Sequence, residues 1–175
     1  MRFYTPALIE MGQSDDDDVL DEQSRLWEEA AARYVAYLDT VRDRLPAGLK
    51  HLDENYYLHD AKVLSIGKRG GAFSLVLQLD APPRSILVLA YDLLSAPAIE
   101  KNALPPKARM HGGPAAWLYN ELERVEAGPG GWRESLLLSN GWEVRLHFRD
   151  VKVEEFDAVL PAHGDGHAPR AAFVA

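Results

Sequence analysis

Cysteine is missing from the 175-residue chain. That excludes a disulfide framework, a thiolate nucleophile and cysteine-ligated zinc, so any metal site has to be assembled from His, Asp and Glu. Long apolar runs are missing too: no stretch approaches the roughly eighteen residues of a membrane helix. The opening Met1-Arg2-Phe3-Tyr4-Thr5-Pro6 lacks the apolar core and small-residue cleavage site of a secretory leader. A cytoplasmic protein is the resulting expectation. Basic residues are in the minority, with 19 Lys and Arg against 27 Asp and Glu and a net charge of −8. No basic stripe interleaved with aromatics is present, so neither nucleic acid nor an anionic membrane surface is an expected partner.

What is present is a globular composition, 47% hydrophobic and 26% charged, at a length that supports a single domain over residues 1–175. The negative charge is local. Residues 14–30 carry Asp15, Asp16, Asp17, Asp18, Asp21, Glu22, Glu28 and Glu29 against Arg25 alone, and the remainder is close to neutral. Trp27, Ala31, Tyr34, Leu38, Val41 and Leu45 recur at spacings of four, three, four, three and four, which predicts a one-faced helix from about Asp16 to Leu45. Ser14 or Asp15 is the expected N-cap, the aspartates behind it favour the positive end of the helix dipole, and Pro46 and Gly48 end the element. Consecutive aspartates on a helix diverge and lack the alternating spacing and glycine of a calcium loop. The run therefore reads as a solvated first turn.

Beyond this arm of residues 1–50, one pattern occurs twice, about sixty residues apart. Leu58-His59-Asp60-Ala61 leads through Gly70-Gly71 to Leu75, Val76 and Leu77, and Leu118-Tyr119-Asn120-Glu121 leads through Gly130-Gly131 to Leu136, Leu137 and Leu138. The first copy predicts strands over 61–68, 72–80 and 84–92, the last apolar on both faces and therefore central. Residues 94–114 hold too many Pro and Gly for a long regular element. Residues 116–126 have helical spacing when taken alone, but the repeat assigns them to a strand. Asn140-Gly141 is the strongest hairpin signal, and read as a two-residue turn it sets Leu137 opposite Val144, Glu134 opposite His147 and Trp132 opposite Arg149. Phe148 and Val151 differ in parity, which predicts a β-bulge near Arg149-Asp150. The expected fold is α+β: a long N-terminal helix packed on a curved antiparallel sheet or small sandwich of about six strands, built from two three-stranded meanders over residues 56–160 that share one core. Residues 161–175 read as a surface tail.

That register gathers Trp132, Glu134, Glu143, Arg145, His147 and Arg149 on one polar face. Trp132, Glu134, Arg145, His147 and Arg149 are the candidate binding residues, suited to an acidic group or a partner's carboxylates. The plainer reading is the solvent side of a sheet, where opposite-charge cross-strand pairs contribute ~0.2–1 kcal/mol each without further purpose. His59-Asp60 reads as a strand entrance whose Asp accepts backbone N–H bonds; as a general base it has no recognisable nucleophile nearby. His163, Asp165 and His167, with His111, match no zinc spacing, and Lys68-Arg69-Gly70-Gly71 joins two strands and does not open a helix onto a phosphate. No catalytic residue, metal or cofactor is expected from these patterns.

Met1-Arg2-Phe3-Tyr4-Thr5-Pro6, Trp27-Glu28-Glu29-Ala30 with Tyr34 and Leu38, Leu45-Pro46, and Leu58-His59-Asp60-Ala61-Lys62-Val63 together resemble a family of bacterial proteins to which no activity is assigned. The resemblance covers most of residues 1–68 and implies a bacterial, intracellular setting; it carries over no site residue. The function expected first is a non-enzymatic protein-interaction module that presents the polar sheet face or the acidic helix. The alternative is a small-molecule-binding domain or hydrolase with a pocket between the two meanders, edged by His59, His111 and His147.

Overall fold

The apolar stripe does form a helix. In the computed structural model, which describes residues 1–69, 72–81, 85–110, 112–128 and 130–157, helix α2 spans Asp17–Val41 and runs on into a single 3-10 turn, Arg42–Arg44. Its N-cap is Asp16, one residue beyond Asp15 and two beyond Ser14, the expected caps, and the Asp16 carboxylate accepts the Asp18 N–H at 3.0 Å. Two shorter helices flank it. Helix α1 (Pro6–Met11) starts behind Thr5, whose hydroxyl accepts from Leu8 N–H, and helix α3 (Ala47–Asn55) starts behind Pro46.

The long helix ends before Pro46 as expected, but Pro46 then opens a further helix, α3, that no spacing pattern announced. Proline disrupts a helix interior but suits a helix start, where its φ is already set and no N–H is required. Gly48 sits in the first turn because α3 touches a strand there: a Cβ at Gly48 would lie 1.7 Å from the Val151 carbonyl oxygen. The cap comes from the same place, since Asp150 accepts from Gly48 N–H at 3.3 Å and Leu49 N–H at 3.2 Å.

Strands β1 (Lys62–Arg69), β2 (Ala72–Gln78) and β3 (Ile86–Leu93) form the first meander, a short β4 (Ala98–Glu100) follows, and β5 (Trp117–Arg124), β6 (Trp132–Leu138) and β7 (Glu143–Phe156) form the second. The described strands make one antiparallel sheet in the order β1-β2-β3-β7-β6-β5, so the third strands of the two copies meet in the middle and the first strands lie at the ends. Twist brings those ends back together. Lys62 bridges Ala116, while Asp60 N–H donates to Trp117 O and Trp117 N–H to Ala61 O, both at 2.8 Å. The bulge lies where parity placed it: Tyr91 pairs with Val151 but Leu93 with Phe148, leaving Arg149-Asp150 opposite Asp92. That extra residue is what turns Asp150 towards α3. Past the bulge β4 takes over the β7 edge, with Ile99 opposite Val144.

The hairpin register departs from expectation by one residue. Trp132 faces Phe148, Glu134 faces Leu146 and Leu136 faces Val144. The connection is a three-residue loop, Ser139-Asn140-Gly141: Gly141 N–H donates to Leu138 O at 2.9 Å, Leu138 N–H donates to Trp142 O at 2.8 Å, and Gly141 has φ +86°. A type I turn followed by a left-handed glycine is the usual form of a three-residue hairpin loop. Because side chains alternate, the one-residue slip moves Trp132 and Glu134 to the inner face. There they join a core drawn from both meanders and the helices, including Leu75, Leu89, Tyr91, Leu136, Leu146 and Phe148 with Val41, Leu49 and Leu52. A smaller cluster of Leu104, Leu118 and Leu137 fills the other side of the second meander under the N-terminal segment.

Candidate functional site

The α2 stripe does not close against the sheet. Ala30 and Val41 are its buried side chains, whereas Trp27, Tyr34 and Leu38, with Leu45 beyond the helix, stand around a cavity of about 430 Å³. The cavity lies between α2, α3 and the edge of the second meander. Leu49, Leu52 and Tyr56 close it from the α3 side, and Trp117, Tyr119, Asn120 and Leu122 from β5. Tyrosine hydroxyls hold α2 over that edge: Tyr34 Oη accepts from Leu122 N–H at 2.7 Å and Tyr37 Oη from Arg124 N–H at 2.6 Å. Each satisfies a backbone donor that β5 leaves unpaired on the side away from β6.

The wall is aromatic. Tyr4 packs on Trp27 with ring centres 4.8 Å apart and on Tyr119 at 5.7 Å, Trp27 meets Tyr119 at 4.8 Å, and His59 meets Tyr119 at 5.4 Å. Tyr4 is placed by Glu121, a buried carboxylate that accepts the N–H groups of Arg2, Phe3 and Tyr4 at 2.5–2.7 Å. A shallower hollow of about 350 Å³ shares Trp27 and Tyr119 with the cavity.

Glu134 supplies the buried carboxylate of the cavity lining, at 1% exposure. Its Oε1 accepts from Asn120 Nδ2 at 2.9 Å, and Asn120 is oriented in turn by Trp117 Nε1, which donates to Asn120 Oδ1 at 3.4 Å. Glu134 Oε2 and the buried Tyr91 hydroxyl lie beside one another, and neither has any other hydrogen-bond partner among the described residues. Burial pushes the Glu134 carboxyl up to about 7; Tyr91 and Asn120 act in the opposite direction and do not offset the loss of water. Tyr91 is raised well above its ordinary value, chiefly by burial and then by Glu134. The Glu134 carboxyl therefore keeps its proton to a higher pH than an exposed glutamate does.

The candidate binding residues do not share a face. Trp132 (4% exposed) and Glu134 point inward, whereas Arg145, His147 and Arg149 point outward to local partners. His147 Nε2 lies 2.8 Å from Gly130 O and braces the Gly130-Gly131 turn, Arg145 Nη2 reaches Glu100 at 3.1 Å, and Arg149 Nη1 reaches Asp92 at 3.2 Å. The expected Glu134–His147 opposition is absent, because Arg133 lies opposite His147.

Of the three histidines expected around a pocket, His59 lines the cavity, His147 is not among its lining residues, and His111 lies outside the described residues, as do Gly70-Gly71 and the His163, Asp165, His167 tail. The pocket itself lies under the helical layer beside the second meander. His59 and Asp60 occupy a turn: Asp60 has a left-handed φ of +66° and its Oδ2 lies 3.0 Å from His59 Nδ1, so the two side chains meet as strand neighbours would not. Among the described residues no three His, Asp or Glu side chains gather to hold a metal ion, and no helix is long and apolar enough to cross a membrane.

Fold and site together define an α+β domain whose curled antiparallel sheet and helical cover enclose an aromatic cavity with a buried carboxylate in its lining. Comparison with protein-family models, with curated proteins and with solved structures returns no match.

Proposed function

We propose that this chain is a small-molecule-binding protein and that the ligand occupies the cavity between α2, α3 and β5. The observation that carries this reading is the cavity itself, about 430 Å³ in volume, with Tyr4, Trp27, Tyr34, Trp117 and Tyr119 among its walls and His59 and Asn120 among its polar lining residues. The volume suits a fragment-sized organic molecule, since ligand pockets commonly span about 300–1,000 Å³ and combine apolar walls with few polar anchors. The α2 side chains Trp27, Tyr34 and Leu38, which line the cavity, support the same reading. A polar sheet surface for a protein partner has weaker support, because its candidate residues divide between the two faces.

The test is a thermal-shift and native mass-spectrometry screen of a mixed set of charged and uncharged aromatic and aliphatic fragments, run on the protein and on Leu38→Trp, which fills the cavity from the α2 side. Ligands that raise the unfolding temperature of the first and quench its tryptophan emission, but leave Leu38→Trp unmoved, are the expected result. Hits acting equally on both proteins, or no hits on either, would overturn it.

A further inference from the structure

Resting on that cavity, we propose that its ligand is a planar heterocycle with a lactam- or aminopyrimidine-type edge, an acceptor atom beside an N–H. That edge pairs with the backbone N–H and C=O of Asn120 while the ring stacks on the aromatic wall. The argument starts from the free side of β5. In an antiparallel strand the N–H and C=O of one residue point the same way, and successive residues point to opposite sides. Leu122 and Arg124 turn their N–H groups away from β6, to Tyr34 Oη and Tyr37 Oη, whereas Val125 N–H turns towards it, to Gly131 O at 2.9 Å. The pairing runs without a break from Tyr119 to Arg124, so Asn120 also presents its N–H and C=O away from β6.

Both flanks of that edge are occupied. On one side Trp117 N–H donates to Ala61 O and Trp117 O accepts from Asp60 N–H; on the other Tyr34 Oη takes the Leu122 N–H. Between them, neither the backbone N–H nor the C=O of Asn120 has a hydrogen-bond partner among the described residues. Its side chain is committed elsewhere, Nδ2 to Glu134 and Oδ1 to Trp117, and does not fold back to cover them. Tyr34, Trp117, Tyr119, Asn120 and Leu122 all line the cavity, so this short stretch of edge opens into it. An unpaired strand edge is a ready template for a group that supplies both a donor and an acceptor.

The rings select the body of the ligand. Tyr4, Trp27 and Tyr119 meet with ring centres 4.8–5.7 Å apart, and flat π-systems stack on such a surface whatever their substituents. A peptide strand satisfies the same edge, but strand addition runs over several residues with pockets for alternate side chains, more than a cavity of about 430 Å³ holds. Asp53 and Arg42 bring opposite charges to the lining, and Glu134 is engaged by Asn120 and Tyr91, so no single sign selects an ionic ligand. A purely hydrocarbon ring would leave the Asn120 backbone groups without partners and out of water.

Two matched pairs isolate the donor of the ligand edge: isoquinolin-1-one with its N-methyl derivative, and adenine with 6-dimethylaminopurine. Each compound is titrated by calorimetry and by two-dimensional amide NMR of the unaltered protein. The expected result is that the parent of at least one pair binds ~tenfold or more tightly than its methylated form, the loss that follows when a desolvated carbonyl is left without its donor. The Asn120 backbone amide shifts downfield and its hydrogen exchange slows as that parent binds. Asn120→Pro removes the N–H without breaking a β5–β6 ladder bond; with its fold checked by circular dichroism, it is expected to lose the preference, whereas Asn120→Ala keeps it. If Asn120→Pro does not fold, the NMR titration decides. Equal binding within both pairs, parent binding that leaves the Asn120 amide unmoved, or no binding of any of the four compounds overturns the proposal. Fragment hits blocked by Leu38→Trp would in each case leave the cavity reading standing, so the two fail separately.

Discussion

Glu134 makes stability depend on pH in a direction unusual for a carboxylate. Its pKa rises from 4.5 for the free side chain to about 7 in the folded protein, so between those values the folded state retains a proton that the unfolded state has lost. The favourable contribution is complete below about pH 4.5 and disappears as the pH climbs to 7; at about 1.4 kcal/mol per pH unit the loss is roughly 3 kcal/mol. Glu134→Gln removes this limb. In urea unfolding across pH 4.5–8 the variant is expected to gain on the native protein as the pH rises and to be the more stable at pH 8; a constant difference would show that the carboxyl is unshifted. Gly48 poses a steric question at the same scale. An added Cβ would lie 1.7 Å from Val151 O and 2.9 Å from Asp150 Oδ1, and backbone cannot give way as a side-chain end can. Gly48→Ala is expected to cost about 2–3 kcal/mol in denaturant unfolding.

Among the elements, α3 depends most on a residue outside itself. Its own N-cap position is Pro46, which makes no side-chain cap bond, and the carboxylate of Asp150 in the β7 bulge takes that role. Asp150→Ala is therefore expected to destabilise by about 1–2 kcal/mol and to speed amide exchange within Ala47–Asn55 ahead of the sheet, while Asp150→Asn retains most of the stability. Unchanged α3 exchange in Asp150→Ala would mean that the cap is dispensable. The bulge was legible from the parity of Phe148 and Val151. The helix it caps was not, because Leu49 and Leu52 are too few to establish a period and Pro46-Gly48 carries the signature of an ending. The hairpin register failed for a related reason: Leu136-Leu137-Leu138 is apolar at every position and does not report which parity faces inward, and Asn140-Gly141 fits either loop length.

For the whole molecule, the joining of the third strands makes the two meanders one sheet over one core, so neither half buries its apolar face alone. Heat or denaturant is expected to unfold the protein in a single transition, with tryptophan emission and far-ultraviolet circular dichroism giving the same midpoint. Separate midpoints would mean that one meander stands without the other.

Duplication, the long acidic-headed helix, the strand character of Trp117–Arg124 and the single shared core were all determined by the amino-acid order, since period and repeat are local properties that survive without coordinates. The cavity was decided by the tertiary structure alone. Tyr4, Trp27, Tyr56, His59, Tyr119 and Glu134 come from separate segments and carry no common spacing, and Glu134 reaches them only because one extra residue in a hairpin loop turns its strand over. A slip of that size barely alters the sequence pattern, yet it exchanges water for protein around a carboxylate, and the consequence for its charge follows from burial.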